Sequence, residues 1–216
     1  MTEIVVEGRP RRDRLGLGRV QRQRKRALIL AALAIGFALP FIRSIGAADG
    51  WAHEALELLG MALISTAIVG RSWCALYIGG RKAHEIVDTG PYSISRNPLY
   101  VFSIAAVGGI GLQTGSIAVG LLTAAVAFAI FHAVILREEE ALKRRFGAGY
   151  DDYLRRVPRF VGTLSRWRAP ETINVHPRRL AQTFAEALLF LLAVPLCELV
   201  DRLQDAGYLV PLLHLP

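Results

Sequence analysis

Apolar residues along this chain do not alternate with polar ones. They come in blocks, each apolar around the whole circumference of a helix. The blocks run over about 27–45, 56–79, 98–112 and 116–136, and a shorter one over about 184–200 is interrupted by Glu186, Pro195 and Glu198. Roughly 20 apolar helical residues cross the hydrocarbon core of a bilayer. Pro40 is placed to kink the outer end of the first block. Gln113-Thr114-Gly115 forms a tight, uncharged turn between the third and fourth. Gly108, Gly109 and Gly111 in the third permit close helix approach. The pattern predicts an all-α polytopic membrane protein with four to five transmembrane helices. The last block either crosses the membrane or lies in the interface as an amphipathic hairpin.

Charge orients these blocks. The chain is 53% hydrophobic with a formal charge of +8, a combination that separates in space into apolar spans and basic loops. Residues 1–26, 80–97 and 137–179 hold 23 of the 26 Lys and Arg. The alternation puts these three segments, and the N-terminus, on the cytoplasmic side, as in the inner membrane of a bacterium. Nucleic-acid binding is disfavoured, because long apolar stretches separate the basic clusters. The chain divides into a basic cytoplasmic tail (1–26) that can engage membrane lipids, a core of four spans with a cytoplasmic closing segment (27–170), and a C-terminal apolar helix (171–216). Cys74 and Cys197 lie in apolar runs and read as packing residues, and no metal site is assigned. Arg71 is a full charge inside the second block, which calls for a polar cavity or a partner, or for snorkelling to the inner headgroups.

Two segments carry candidate chemistry, and four spans put both on the cytoplasmic surface. The first, Thr89–Tyr100 (TGPYSISRNPLY), has turn signals at Gly90-Pro91 and Asn97-Pro98 and opens into the third block. Asn97 is placed to cap free backbone N–H groups, and Pro98 suits the first helical position. With Arg96 beside it, that helix start favours a carboxylate or phosphate. The second segment begins Arg137-Glu138-Glu139-Glu140 at the end of the fourth block. Its carboxylates suit an ammonium, a sulfonium or ribose hydroxyls, unless they merely pair with Lys143, Arg144 and Arg145 at helical spacing. S-adenosylmethionine carries a carboxylate, a positive centre and a ribose, and so matches both walls. His132 reads as a packed helix residue.

Gly90-Pro91-Tyr92, Arg96-x-Pro98-x-Tyr100, Glu138-Glu139, Leu142, Phe146-Gly147, Tyr150, Tyr153 and Val157 fall at the spacing of the isoprenylcysteine carboxyl methyltransferase and phospholipid methyltransferase superfamily. Arg71, Trp73 and Gly79 also resemble that family's arginine-containing helix. The likeness covers about residues 56–162. It implies an integral membrane methyltransferase that uses S-adenosylmethionine and acts on a lipid-like or other hydrophobic acceptor. Arg96, Asn97, Pro98 and Tyr100, with Gly90 and Tyr92, would line the cofactor pocket. Glu138 and Glu139 would hold the cofactor, and Tyr150 and Tyr153 would lie in the closing segment. Arg71, on the acceptor side, and Glu139 are the candidate catalytic residues. The chain departs from the family in having Asn97 where His is usual and Val134 where Arg is common. Arg137, on the same face one turn on, is placed to substitute in part. Two other readings stay open: a nicotinamide-dependent membrane reductase of the sterol-reductase kind, and a non-catalytic membrane anchor of the same fold.

Overall fold

The computed structural model of the protein describes residues 36–37, 39–44, 50–81 and 84–215. The basic tail, 1–26, and the first part of the expected first span, 27–35, lie outside them. The end of that span is not the continuous helix expected. Leu39–Phe41 is a 3-10 turn containing Pro40, and Ile42–Ser44 is a short strand, β1.

The second block becomes α1, Trp51–Ile78, whose 28 residues span about 42 Å. Pro91–Ile94 is a single turn, α2. Then come α3 (Pro98–Leu112), α4 (Ile117–Phe146) and α5 (Ala148–Arg156). The last block is helical over more residues than expected: α6 (Pro177–Leu188), a 3-10 turn at Leu189–Leu192, and α7 (Ala193–Asp205). Among the described residues α1, α4 and the Pro177–Asp205 stretch are long and apolar enough to cross a membrane. The expected third span, α3, is the short member. Its 15 residues reach about 22 Å, less than the ~30 Å hydrocarbon core.

Glycine seats α3 between α1 and α4. A Cβ on Gly109 would stand 2.7 Å from the carbonyl oxygen of Gly60, and one on Gly60 would stand 2.6 Å from that of Gly109. On the other side a Cβ on Gly111 would come within 2.8 Å of the Gly120 Cα. These are backbone-to-backbone contacts that no larger residue allows, and they replace the missing hydrophobic drive between helices in lipid. At the far end the Gln113 amide donates to the Glu57 carbonyl at 2.8 Å. Gly115 turns the chain at φ +65°, and the Ser116 hydroxyl caps α4 by accepting from the Val119 N–H. Helix α6 packs on α1, with Ala187 buried against Ile64 and Ile68. Val69, Leu121, Leu122, Val126, Leu192 and Leu196 point outward and stay exposed. Such a belt is a liability in water and the solvated face of a protein in lipid. The C-terminal Leu213–Leu215, β2, pairs in parallel with β1.

Candidate functional site

At the C-terminal end of α1 two turns are stapled by a third piece of chain. Gly90 sits at φ +58°, a conformation that favours glycine, and a Cβ there would run into the Tyr77 ring. The Ser93 hydroxyl closes this turn by donating to the Gly90 carbonyl at 2.7 Å. The segment after α5 then binds back along it. The Gly90 N–H donates to the Arg168 carbonyl at 2.7 Å, and the Arg168 N–H donates to Ser93 Oγ at 3.1 Å. The Arg96 N–H donates to the Pro158 carbonyl at 2.9 Å. The Arg159 carbonyl accepts from Ser95 Oγ at 3.3 Å and from Asn97 Nδ2 at 3.2 Å. Asp88 receives the guanidiniums of Arg156 and Arg168 at 3.2 and 3.4 Å.

These contacts correct one expectation. Pro98 does occupy the first turn of α3, but the Asn97 side chain caps nothing, because its amide is engaged by Arg159. The Asn97 carbonyl starts the helix instead, accepting from the Tyr100 and Val101 N–H groups.

The three consecutive glutamates have three fates, because α4 continues through them and turns each by about 100°. Glu140 faces out and pairs with Arg144 at 2.6 Å, both side chains about two-thirds exposed. Such a surface pair contributes about 0.2–1 kcal/mol. Glu138 and Glu139 are buried. Glu139 is gripped by the fork of Arg159, Nε to Oε1 at 3.2 Å and Nη2 to Oε2 at 2.8 Å, while Arg96 Nη1 lies 3.6 Å from Oε1. Two charge-assisted bonds on a carboxylate only 11% exposed form a far stronger clasp than the Glu140 pair. Glu139 holds the Arg159 guanidinium above its ordinary pKa by hydrogen bonding.

No signal in the sequence marks Arg159, which lies 20 residues from its partner among many arginines. Arg137, the expected substitute for the arginine missing at Val134, is exposed, whereas Val134 is buried against Tyr100 and Phe131.

Around this pair lies a narrow cavity of about 50 Å³ in a cleft with about 470 Å³ of empty space, mouth included. Of the expected residues, Tyr92, Arg96, Asn97, Glu138, Glu139, Tyr150 and Tyr153 line it. Glu85, Ile86 and Val87 join them from the 80–97 connector, whose composition marks it only as a polar linker. Burial pushes the Tyr92, Tyr150 and Tyr153 phenols well above the ordinary tyrosine range, with Glu139 adding to the shift at Tyr150. All three stay neutral. Tyr153 donates to the Tyr92 carbonyl at 2.9 Å. Hydrogen bonding from Arg81 draws Glu85 below the usual carboxylate range.

The other expected residues stand outside the lining. Gly90 and Pro98 shape the turns that present Tyr92, Arg96 and Asn97. Tyr100 is buried between α3 and α4 with Ala127, Phe131 and Ile135. Arg71 lies seven residues before Ile78, about 10 Å along α1. It donates to the Ser103 hydroxyl, and its guanidinium lies 5.5 Å from the centre of the Phe190 ring. A charge inside an apolar helix thus finds both a polar partner and an aromatic face within the bundle. His132 is stacked by Phe128 and Phe160, the packed residue expected. Trp167 lies across Trp73 with ring centroids 5.2 Å apart, docking the segment after α5 on α1.

Against known proteins, residues 55–149 match the model of the phospholipid methyltransferase family. The chain is 39% identical over 168 residues to a nickel-cobalt-cadmium resistance protein of Alcaligenes xylosoxydans xylosoxydans, covering 78% of each chain. It is 39% identical over 162 residues to a cobalt-zinc-cadmium resistance protein of Cupriavidus metallidurans, covering 74% of each. A protein-S-isoprenylcysteine O-methyltransferase of Arabidopsis thaliana is 37% identical over 105 residues, 47% of this chain and 53% of that protein. No solved structure matches.

Proposed function

Because the chain belongs to the isoprenylcysteine carboxyl methyltransferase and phospholipid methyltransferase superfamily, we propose that it is a membrane methyltransferase that takes its methyl group from S-adenosylmethionine. Its acceptor is a lipid-like or other hydrophobic molecule reached from the cytoplasmic leaflet. The observation that carries this reading is the pairing of the buried Glu138 and Glu139 with Arg96 and the partly exposed Arg159 beside three neutral tyrosines. Charges of both signs at close quarters suit a ligand that is itself of both signs.

The donor set fits that ligand. Arg96 Nε is buried without a hydrogen-bond partner in the described residues and points to an acceptor such as the ligand carboxylate. Glu138 and Glu139 would accept from the ribose hydroxyls or the ammonium. Tyr150, held protonated by burial, has a phenol proton to donate. Bound S-adenosylmethionine would supply a sulfonium methyl for in-line transfer to the acceptor atom, with the carbon–sulfur electron pair going to sulfur. What the protein contributes is alignment and exclusion of water, which suffice for a carboxylate or thiol acceptor. Glu139 keeps its catalytic assignment through the group it holds in place. Arg71 is assigned to the acceptor route, deeper along α1.

Room for such a ligand comes from movement. The cavity is small beside ordinary cofactor sites of about 300–1,000 Å³. The 158–168 segment beside it is held by backbone hydrogen bonds, the Arg159 clasp, the Arg168–Asp88 pair and the Trp167–Trp73 stack. Lifting it would free Glu139 and open the cleft. The names of two relatives make growth under nickel, cobalt, zinc or cadmium the condition in which to seek the acceptor.

The test is calorimetric titration of the detergent-solubilised protein with S-adenosylhomocysteine and, separately, with a nicotinamide dinucleotide. Binding of S-adenosylhomocysteine with Kd on the order of micromolar is expected, with a loss of at least tenfold in Glu139→Gln. A folded protein that binds only the dinucleotide supports the reductase, and one that binds neither supports the anchor.

A further inference from the structure

At the opposite end of α1 from the pocket, three potential ligand groups converge that the methyl-transfer reading does not use. His53 and Glu57 stand one turn apart on α1, and Asp201 faces them from α7. One ligand atom from each lies within 4.8 Å of the other two. From His53 to Ile78 is 25 residues of helix, about 37 Å, so this cluster and the pocket are a membrane thickness apart. We propose that His53, Glu57 and Asp201 form a binding site for a divalent transition-metal ion.

Asp201 is the informative residue. It is half-buried and makes no hydrogen bond or ion pair with any described residue. The nearby arginine, Arg43, is taken by Asp205 on the next turn of α7. A carboxylate in that position wants a cation. Glu57 Oε1 lies 3.4 Å from His53 Nε2, and one imidazole cannot balance two carboxylates.

The imidazole is also held in a fixed pose. Its side chain is 11% exposed, and Nδ1 is buried against the turn at Gly115, where any Cβ would collide with the ring. Nε2 is left facing the carboxylates. Glu57 is anchored through its backbone carbonyl by Gln113.

The ligand types select the ion. Nitrogen and oxygen ligands bind a metal at about 2.0–2.2 Å, which puts donor atoms around one ion roughly 3–4 Å apart. Side-chain rotation closes the present spacing. An imidazole beside two carboxylates disfavours magnesium and calcium, which prefer all-oxygen shells. Divalent first-row transition ions such as zinc, cobalt and nickel fit this set, with water completing the shell. The ion would tie α7 to α1 where α7 is otherwise joined by few polar contacts.

Cobalt(II) is the probe for the test, added to full-length, detergent-solubilised protein purified without a histidine tag. One equivalent is expected to give ligand-field absorption, removed by zinc. Zinc should raise the melting temperature. Asp201→Asn, which keeps shape and removes the charge, and His53→Gln should each weaken binding more than about tenfold and abolish the zinc-induced rise. His84→Ala and His176→Ala should change neither. Absence of binding, binding unaltered in Asp201→Asn, or loss of the signal in the His84 or His176 variants would overturn the assignment. Melting without metal separates a folding defect from a lost ligand.

Discussion

Glu139 and Glu140 are adjacent in sequence and chemically alike, yet one is clasped inside the protein and the other lies on its surface. The difference is helical phase, together with a single arginine arriving from 20 residues away. The clasp closes an ion pair where the ligand is proposed to lie, so Arg159 has two roles in prospect, holding Glu139 in the closed state and meeting an anionic group once released. Arg159→Ala is expected to weaken S-adenosylhomocysteine binding by about tenfold or more, in line with the ~1.5–3 kcal/mol of a hydrogen bond to a charged group. Arg137→Ala, on the exposed face, should leave it within about twofold. Equal effects from the two would return the role of the family's missing arginine to Arg137. Arg96, Glu138, Glu139, Tyr150 and Tyr153 are legible in the sequence through motif spacing, because each lies near a turn or at helical spacing from its neighbour. Arg159 and Asp201 are not. Their partners are distant along the chain, and no local pattern distinguishes them from other exposed charges.

At the scale of elements, the hydropathy blocks match α1, α3 and the apolar part of α4, which continues as a charged helix to Phe146, because the lipid-facing part of a helix must be apolar. They do not reveal that α3 is too short to be an equal partner. Glycine is what lets it serve, since backbone contact with α1 and α4 on two faces stands in for length. Gly109→Val would drive a branched side chain into the Gly60 carbonyl, where even a single Cβ comes to 2.7 Å. The helices must separate or the side chain must strain, and overpacking of this kind costs about 1–3 kcal/mol. The variant is expected to melt several degrees lower, whereas Leu121→Val, on the exposed face of α4, should melt as the parent does. The same shortness explains why the turn after α3 packs inward. Gln113 and Gly115 meet Glu57 and His53 within the bundle rather than forming an exposed loop.

Across the whole molecule, the two ends of α1 carry different chemistry. Mixed charge and phenols gather at one end, a histidine and carboxylates at the other, and between them lies a bundle whose outer surface is hydrocarbon. The distribution of charge along the chain anticipates that the first set gathers on one side, since an even number of crossings returns the chain to it. The tail of the chain, for which the apolar pattern allows two alternatives, is helical from Pro177 to Asp205, with the Leu189–Leu192 turn inside the run. The segment from Pro158 to Arg168 has no α-helix of its own and is docked near its end by the Trp167 indole. Trp73 and Trp167 are stacked, while Trp51, at the other end of α1, is 83% exposed. Those are all the tryptophans of the chain. Two of its three indoles therefore form a stacked pair, close enough for excitonic coupling, that would part if the segment lifted. If the segment lifts to admit a ligand, near-ultraviolet circular dichroism from that pair should fall as S-adenosylhomocysteine is added, and Trp167→Phe should erase the change while binding remains measurable by calorimetry. A signal that stays constant through saturation would mean that the cleft fills without opening there. The stacked pair would thus serve as an optical gauge of that movement, readable without any attached label.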